Sequence, residues 1–176
     1  MNDKVLATIT TYNPELDLLE QNIDAIVNQV DKLLVYENAS ENRDKIVSLC
    51  EAKGVEIILN DKNYGVAGPL SDGLNYAIEN NYAYIFTLDQ DTVSSDGIIK
   101  SLLNLIKADD KMAIIAAQPV MTVNGVEVKE NFENHYVNDV ITSGALADVE
   151  KMKNIGGYMP EMFIDWVDTE ICFRTI

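Results

Sequence analysis

Two aspartates spaced i, i+2, Asp89 and Asp91, follow directly on the apolar run Tyr84-Ile85-Phe86-Thr87-Leu88. Side chains alternate between faces in extended backbone, so this spacing turns both carboxylates to the same side. Neighbouring carboxylates repel unless a shared proton or a cation relieves them. A hard divalent cation does so economically, because Mg²⁺ is held by one or two carboxylates together with substrate phosphate oxygens. The run before the pair reads as a buried strand of an α/β sheet. Ligands of open α/β sheets collect at the carboxyl ends of such strands. A second group of acids, Asp165, Asp168 and Glu170, lies near the end of the chain beside its only tryptophan, Trp166.

The elements that must position these acids can be read along the chain. Val5-Leu6-Ala7-Thr8-Ile9-Thr10 is a short apolar first strand. Asn13 and Pro14 match the N-cap and first position of a helix, whose buried stripe is Leu19, Ile23, Ile26, Val27 and Val30. Leu33-Leu34-Val35-Tyr36 is a second strand. A short helix with Ile46, Leu49 and Cys50 ends at Gly54, a favourable C-cap, and Val55-Glu56-Ile57-Ile58-Leu59 is a third strand. The stretch Asn63-Tyr64-Gly65-Val66-Ala67-Gly68-Pro69 has glycines that would let backbone approach a ligand closely. Leu70, Leu74, Ala77 and Ile78 form the next helical stripe, and the strand ending at Asp89 follows. Ser94-Ser95-Asp96 is predicted to cap a helix bearing Ile98, Ile99, Leu102, Leu105 and Ile106. Residues 112–117 are predicted as a fifth strand, and 120–128, centred on Asn124-Gly125, as a hairpin. Residues 137–141 and 144–147 look strand-like, 148–154 is a short polar helix, and the residues after Asp165 look helical. The alternation of strand and helix through residue 118 predicts an α/β domain with a largely parallel sheet.

The 176 residues suit one domain with a core large enough to fold alone. A formal net charge of -16 excludes nucleic acid as an expected partner, because a phosphate backbone needs basic side chains to neutralise it. The same charge argues against simple electrostatic attraction to anionic lipid. The two cysteines, Cys50 and Cys172, form no C-x-x-C pattern and are expected to be reduced thiols. No apolar run reaches the length of a transmembrane segment, and no signal peptide is expected ahead of the first strand. The protein is therefore expected in the cytoplasm, or peripherally at the inner face of the membrane. His135, the single histidine, has no second ligand near it in sequence and reads as a structural or surface residue.

Five blocks in order resemble the family 2 inverting glycosyltransferases, and most closely their rhamnosyltransferase-like branch. Ile9-Thr10-Thr11-Tyr12-Asn13-Pro14 resembles the first strand and the loop that receives the nucleotide base. Tyr36-Glu37-Asn38-Ala39-Ser40 resembles a second strand end usually written D-N-A-S, with Glu37 in place of the aspartate that contacts the base. Asn63-Tyr64-Gly65-Val66-Ala67-Gly68, followed by Ser71-Asp72-Gly73-Leu74, resembles the N-x-G-x-A-G…N-x-G-L block, with Asp72 in place of asparagine. Asp89-Gln90-Asp91 matches the D-x-D motif. The block from Phe163 to Arg174 resembles the acidic block ending in C-x-R, with Val167 where many members carry glutamate.

The resemblance implies a GT-A fold: a Rossmann-like, mixed but mostly parallel central sheet flanked by helices. It implies one GT-A domain over residues 1–176, shortened at its C-terminal end. The implied reaction is displacement at an anomeric carbon with inversion, from a dTDP- or UDP-sugar donor to a saccharide or lipid-linked acceptor hydroxyl. Asp91, with Asp89 directing ribose or a metal-bound water, would hold Mg²⁺ or Mn²⁺ beside the departing diphosphate. Thr11, Tyr12, Asn13, Glu37, Asn63, Gly65, Gly68 and Asp89 are the implied donor contacts. Asp168 is the implied general base, with Asp165 as the alternative. Ser143-Gly144 is either part of the acceptor-side wall or a tight turn.

Two other readings remain open from the sequence. Asp89-Gln90-Asp91-Thr92-Val93 also resembles the D-x-D-x-[TV] strand end of haloacid-dehalogenase-type phosphatases, where Asp89 would be a nucleophile. The second is a shortened transferase domain that binds donor without transferring it. A sugar nucleotidyltransferase is disfavoured because residues 5–14 contain no glycine.

Overall fold

A computed structural model describes residues 3–118, 120, 122–123, 126–127, 134 and 136–175. The strands are β1 (Val5–Thr11), β2 (Lys32–Glu37), β3 (Glu56–Leu59), β4 (Tyr84–Asp89), β5 (Ile114–Ala116), β6 (Thr122–Val123), β7 (Val126–Glu127) and β8 (Ala145–Asp148). The helices are α1 (Leu16–Ile26), α2 (Arg43–Lys53), α3 (Ala67–Glu79), α4 (Ile98–Ile106), α5 (Val149–Asn154) and α6 (Val167–Thr175). Six strands form one sheet in the order β3-β2-β1-β4-β8-β5. β1 pairs in parallel with β2 and β4, β2 in parallel with β3, and only β8 runs against its neighbours. This is the mixed, mostly parallel sheet expected from the strand–helix alternation.

Strand alternation sorts the core into two layers. Val5, Ala7, Ile9, Phe86 and Leu88 face α1, α2 and α4, where Leu19, Ile23, Ile46, Cys50, Ile99 and Leu102 close the layer. Leu6, Leu34, Tyr36 and Ile85 face the opposite way, toward Leu70 and Leu74 of α3, Met152 of α5, and Ile171 and Cys172 of α6. β1 and β4 are buried on both faces, so their sequences read as continuous apolar runs. Cys50 and Cys172 lie on opposite sides of the sheet and both are free thiols.

Several boundaries differ from the sequence expectation. Asn13 and Pro14 do not open α1, which begins at Leu16 after Glu15. Asn13 instead adopts a left-handed backbone. Its N–H donates to Ser40 Oγ at 2.9 Å, and its side-chain oxygen accepts from the Glu41 N–H at 2.7 Å, tying the end of β1 to the end of β2. α4 starts after left-handed Gly97, with no side-chain cap from residues 94–96. Residues 137–141 are not a strand. β8, the next strand in the chain, already has β4 on one edge and β5 on the other, and residues 137–141 instead run along α6, with the Val140 N–H directed at Cys172 Sγ. β6 and β7 pair antiparallel as a hairpin requires. Asn124, Gly125 and His135 lie outside the described residues.

Candidate active site

The chain steps outward from β1 to β2 and β3, then returns to place β4 on the other side of β1. Helices before and after such a reversal leave on opposite faces, which opens a crevice at the carboxyl ends of the two central strands. Register puts Thr10 beside Asp89 and Thr11 beside Glu37 at that end. A cleft of about 320 Å³ lies there, within the size range of small-molecule sites. β1 and its loop contribute Thr10 and Tyr12, and the end of β2 contributes Asn38. The glycine loop contributes Asn63, Gly65 and Val66. β4 and the following turn contribute Asp89, Gln90 and Asp91, and Ile164 comes from the late acidic block.

The carboxyl end of β4 is held from three directions. Asn22, buried on α1, donates through Nδ2 to the Asp89 carbonyl at 2.8 Å. Ser143 Oγ accepts the Asp89 N–H at 2.9 Å and shares a hydrogen bond with Thr92 Oγ1 at 2.7 Å. Gln90 Oε1 accepts the Tyr12 N–H at 2.8 Å, joining the β1 and β4 loops across the crevice. Burial raises the pKa of Asp89 above its ordinary value, and the nearby charges of Asp91 and Asp168 raise it further. Three carboxylates thus crowd one electrostatic neighbourhood, and a cation is the direct relief. Among the described residues no three His, Cys, Asp or Glu side chains form a ready-made metal cage. The donor set therefore suits a hard ion that takes its remaining ligands from phosphate and water. Asp89 and Asp91 are the residues that fit it.

The predicted donor contacts and metal ligands divide into two groups. Tyr12, Asn63, Gly65, Asp89 and Asp91 line the cleft. Thr11, Asn13, Glu37 and Gly68 do not. The Thr11 hydroxyl points into the fold and donates to the Tyr36 carbonyl at 3.1 Å. Glu37 is fully buried: one oxygen accepts the Ser40 N–H and the other pairs with Arg43. Arg43 also donates to the Asn60 carbonyl. Asn60 Nδ2 donates to Asn38 Oδ1 at 2.8 Å, and Asn38 Nδ2 donates to the Gly65 carbonyl at 2.8 Å. Glu37 is thus the buried anchor of a polar chain that ends at the glycine loop.

Both loop glycines answer to internal neighbours. A Cβ on Gly65 would sit 2.2 Å from the Phe163 carbonyl oxygen, and one on Gly68 would sit 2.6 Å from Tyr64 Cβ. The sequence reading assigned that closeness to a ligand, whereas here other parts of the chain fill it.

Asp168 lies in the first turn of α6, where its carboxylate complements the helix dipole. Its Oδ1 accepts the Thr142 N–H at 3.1 Å. It does not line the cleft but is close enough to Asp89 to raise its pKa. Asp165 is exposed just before α6. Arg174 fixes α6 from below, donating to the Ile155 and Gly157 carbonyls, each at 2.6 Å, while paired with Glu170. Sequence reasoning missed Asn22, Asn38, Gln90 and Ile164. Asn22 carried a signal: it is a polar residue next to Ile23 inside an apolar helical stripe.

The sequence profile of Glycosyl transferase family 2 matches residues 7–162. The chain belongs to glycosyl transferase family 2. Its sequence is 28% identical over 196 residues to the dTDP-rhamnosyl transferase RfbF of Shigella flexneri, covering all of this chain and 64% of that protein. S. aureus TarS shares the fold at a TM-score of 0.69 and 15% identity, over 98% of this chain and 33% of TarS. A TarS fragment, residues 1–349, in complex with UDP matches at a TM-score of 0.65 and 16% identity, over 96% of this chain and 54% of that one. The same fragment with UDP-GlcNAc matches at 0.64 and 15%, over 98% and 53%. The fold is accordingly the GT-A fold of these transferases, and the phosphatase reading is set aside. Among the described residues no helix is long and apolar enough to cross a membrane.

Proposed function

We propose that this family 2 domain transfers a sugar, with inversion, from a nucleoside-diphosphate-sugar to an acceptor hydroxyl. The observation that carries the reading is the switch-point cleft lined by Asp89 and Asp91, with Asp168 outside the lining yet near enough to add to the upward shift that burial gives Asp89. Tyr12 and Asn63 border the base and ribose side of the cleft, and Asp89 and Asp91 border its diphosphate side. Asp91, assisted by Asp89, would hold Mg²⁺ or Mn²⁺, which when bound offsets the charge that grows on the departing diphosphate. Asp168 takes the proton from the acceptor hydroxyl. The Thr142 N–H holds one of its oxygens and leaves the other for that task. Asp165, on the exposed side of the same segment, is the alternative base.

A dTDP-sugar, with rhamnose first, is the favoured donor because RfbF is named a dTDP-rhamnosyl transferase. A UDP-sugar is next, since TarS was solved with UDP and UDP-GlcNAc. The acceptor class is a saccharide or a lipid-linked saccharide.

A calorimetric panel of nucleotide-sugars with and without Mn²⁺ tests the donor half. Metal-dependent binding of a dTDP- or UDP-sugar is expected, and no binding by any member would refute the reading. The Asp168→Asn variant tests the other half. It should keep donor affinity and lose transfer by roughly 10²–10⁴-fold, the usual contribution of general base catalysis. Near-normal transfer by that variant would move the role to Asp165. Donor binding with no transfer by the parent chain would make this a binding module.

A further inference from the structure

We propose that the backbone carbonyl of Phe163, seated against Gly65, is a clasp that sets the Asp165–Asp168 segment against the donor cleft. Phe163 and Gly65 are then positioning residues for the transfer, an inference that rests on the reading of Asp168 as base.

The first N–H groups of a helix have no partner within it. In α3 the Val66 and Ala67 N–H groups both donate to the Phe163 carbonyl oxygen, at 2.7 and 2.9 Å. No side chain caps this helix, so a carbonyl from the far end of the chain does so. That carbonyl comes so close that only glycine fits opposite it: a Cβ on Gly65 would meet the Phe163 oxygen at 2.2 Å and its carbon at 2.6 Å.

The carbonyl reaches this position through an uncommon backbone. Phe163 has φ 60° and ψ -73°, close to the rarer and strained form of the γ-turn. Trp166, three residues on, has φ 68°. Two non-glycine residues with positive φ therefore bracket Ile164 and Asp165. Ile164 lies on the cleft wall. Backbone strain of this kind persists only where surroundings over-determine it, and it concentrates at functional sites. Beyond the segment, the Trp166 carbonyl accepts the Glu170 N–H at 2.8 Å in the first turn of α6. That turn carries Asp168. The path from the glycine loop to the base is thus continuous: Gly65, the Phe163 carbonyl, Trp166, Asp168.

Pure structural capping would not need this path, since a serine or aspartate before α3 would satisfy the same amides without strain. What the carbonyl adds is a fixed relation between the donor loop and the acidic segment.

Two substitutions at one position separate the carbonyl from the side chain. Phe163→Gly keeps the carbonyl and adopts positive φ freely. Phe163→Pro fixes φ near -65°, which swings the carbonyl off the amides. Trp166 is the only tryptophan and is 73% exposed, so its emission and its quenching by acrylamide report the segment directly. Phe163→Pro is expected to weaken donor nucleotide binding, because the released amides adjoin Gly65 and Val66 on the cleft wall. Its kcat should fall roughly 10²-fold, the scale of a 1 Å misplacement, with altered Trp166 quenching. Phe163→Gly, which keeps the carbonyl, is expected to lose far less than Phe163→Pro in all three.

Parental kcat and parental quenching in Phe163→Pro would overturn the clasp, as would equal losses in both variants. If the parent transfers no sugar, the readout is the Trp166 response to bound nucleotide. The clasp predicts it in the parent and in Phe163→Gly and not in Phe163→Pro, and its absence in the parent refutes the coupling. If Phe163→Pro does not fold, Gly65→Ala breaks the same contact from the other side, with the same change in Trp166 quenching expected and an unchanged one overturning the clasp.

Discussion

Replacing Arg43 with methionine should destabilise this protein far more than removal of a surface cation does. Among the described residues the other ion pairs keep both side chains at least partly exposed, as Lys32–Glu56 does, and such pairs contribute about 0–1 kcal/mol. Arg43–Glu37 is different, because the Glu37 side chain is 0% exposed and that of Arg43 is 33% exposed. Arg43→Met leaves Glu37 charged in the interior with only the Ser40 N–H on its carboxylate. Breaking a buried pair from one side costs about 3–5 kcal/mol. Water entering beside the partly exposed position 43 pulls the figure to the low end, near 3 kcal/mol. For a domain of this length each kcal/mol lowers Tm by about 2–4 °C, so a fall of roughly 6–12 °C is expected. Urea unfolding of parent, Arg43→Met, Glu37→Gln and the double variant measures it. The double variant should regain most of the loss, because it removes the stranded charge together with its partner. A loss under about 0.5 kcal/mol in Arg43→Met, the range of ordinary surface changes, would refute the burial argument. So would a double variant no better than the single. The same substitution frees Asn60, and through Asn38 the glycine loop, so donor affinity should fall with stability.

Three further outcomes follow from the site. Asp89 is raised in the folded state above its ordinary 3.8 by burial and by Asp91 and Asp168, so its ionised form opposes folding at neutral pH. That penalty is relieved as pH falls through the raised folded pKa and is gone below 3.8. Asp89→Asn should therefore be more stable than the parent at pH 7 without metal, with the difference closing on acidification; thermal melts across pH check this, and a constant difference would contradict it. Asn22→Leu should change stability by only about 1 kcal/mol, because the lost Asp89 contact is offset by removing an unpartnered buried oxygen. Its metal-dependent donor binding should nonetheless weaken in calorimetry, and unchanged affinity would remove Asn22 from the support of β4. Cys50, buried in the core and pushed up to about 11, should resist thiol reagents in the native protein and react on unfolding, which a labelling time course would detect.

The sheet was legible because β1 and β4 are buried on both faces, and burial on both faces leaves an uninterrupted apolar run. The two-sided core was legible for the same reason: alternate residues of one strand must feed different helices. The strand-like pattern of 137–141 misled because apolar composition cannot say whether a neighbouring strand is free to pair, and β8 already has β4 on one side and β5 on the other. Asn13-Pro14 misled because the cap signature is local, whereas Asn13 hydrogen-bonds to residues 40 and 41 across two strand ends.

The sequence by itself determined the α/β class, the family, and the placing of Asp89 and Asp91 at a strand end, because each depends on neighbours in the chain. Only the tertiary structure decided what the other blocks do. It put Glu37 under Arg43 instead of on the cleft wall, gave Gly65 to the Phe163 carbonyl, and brought Asp168 into the field of Asp89. Those are contacts between residues far apart in the chain. Their energies depend on burial and distance, and neither is written in residue type or local spacing.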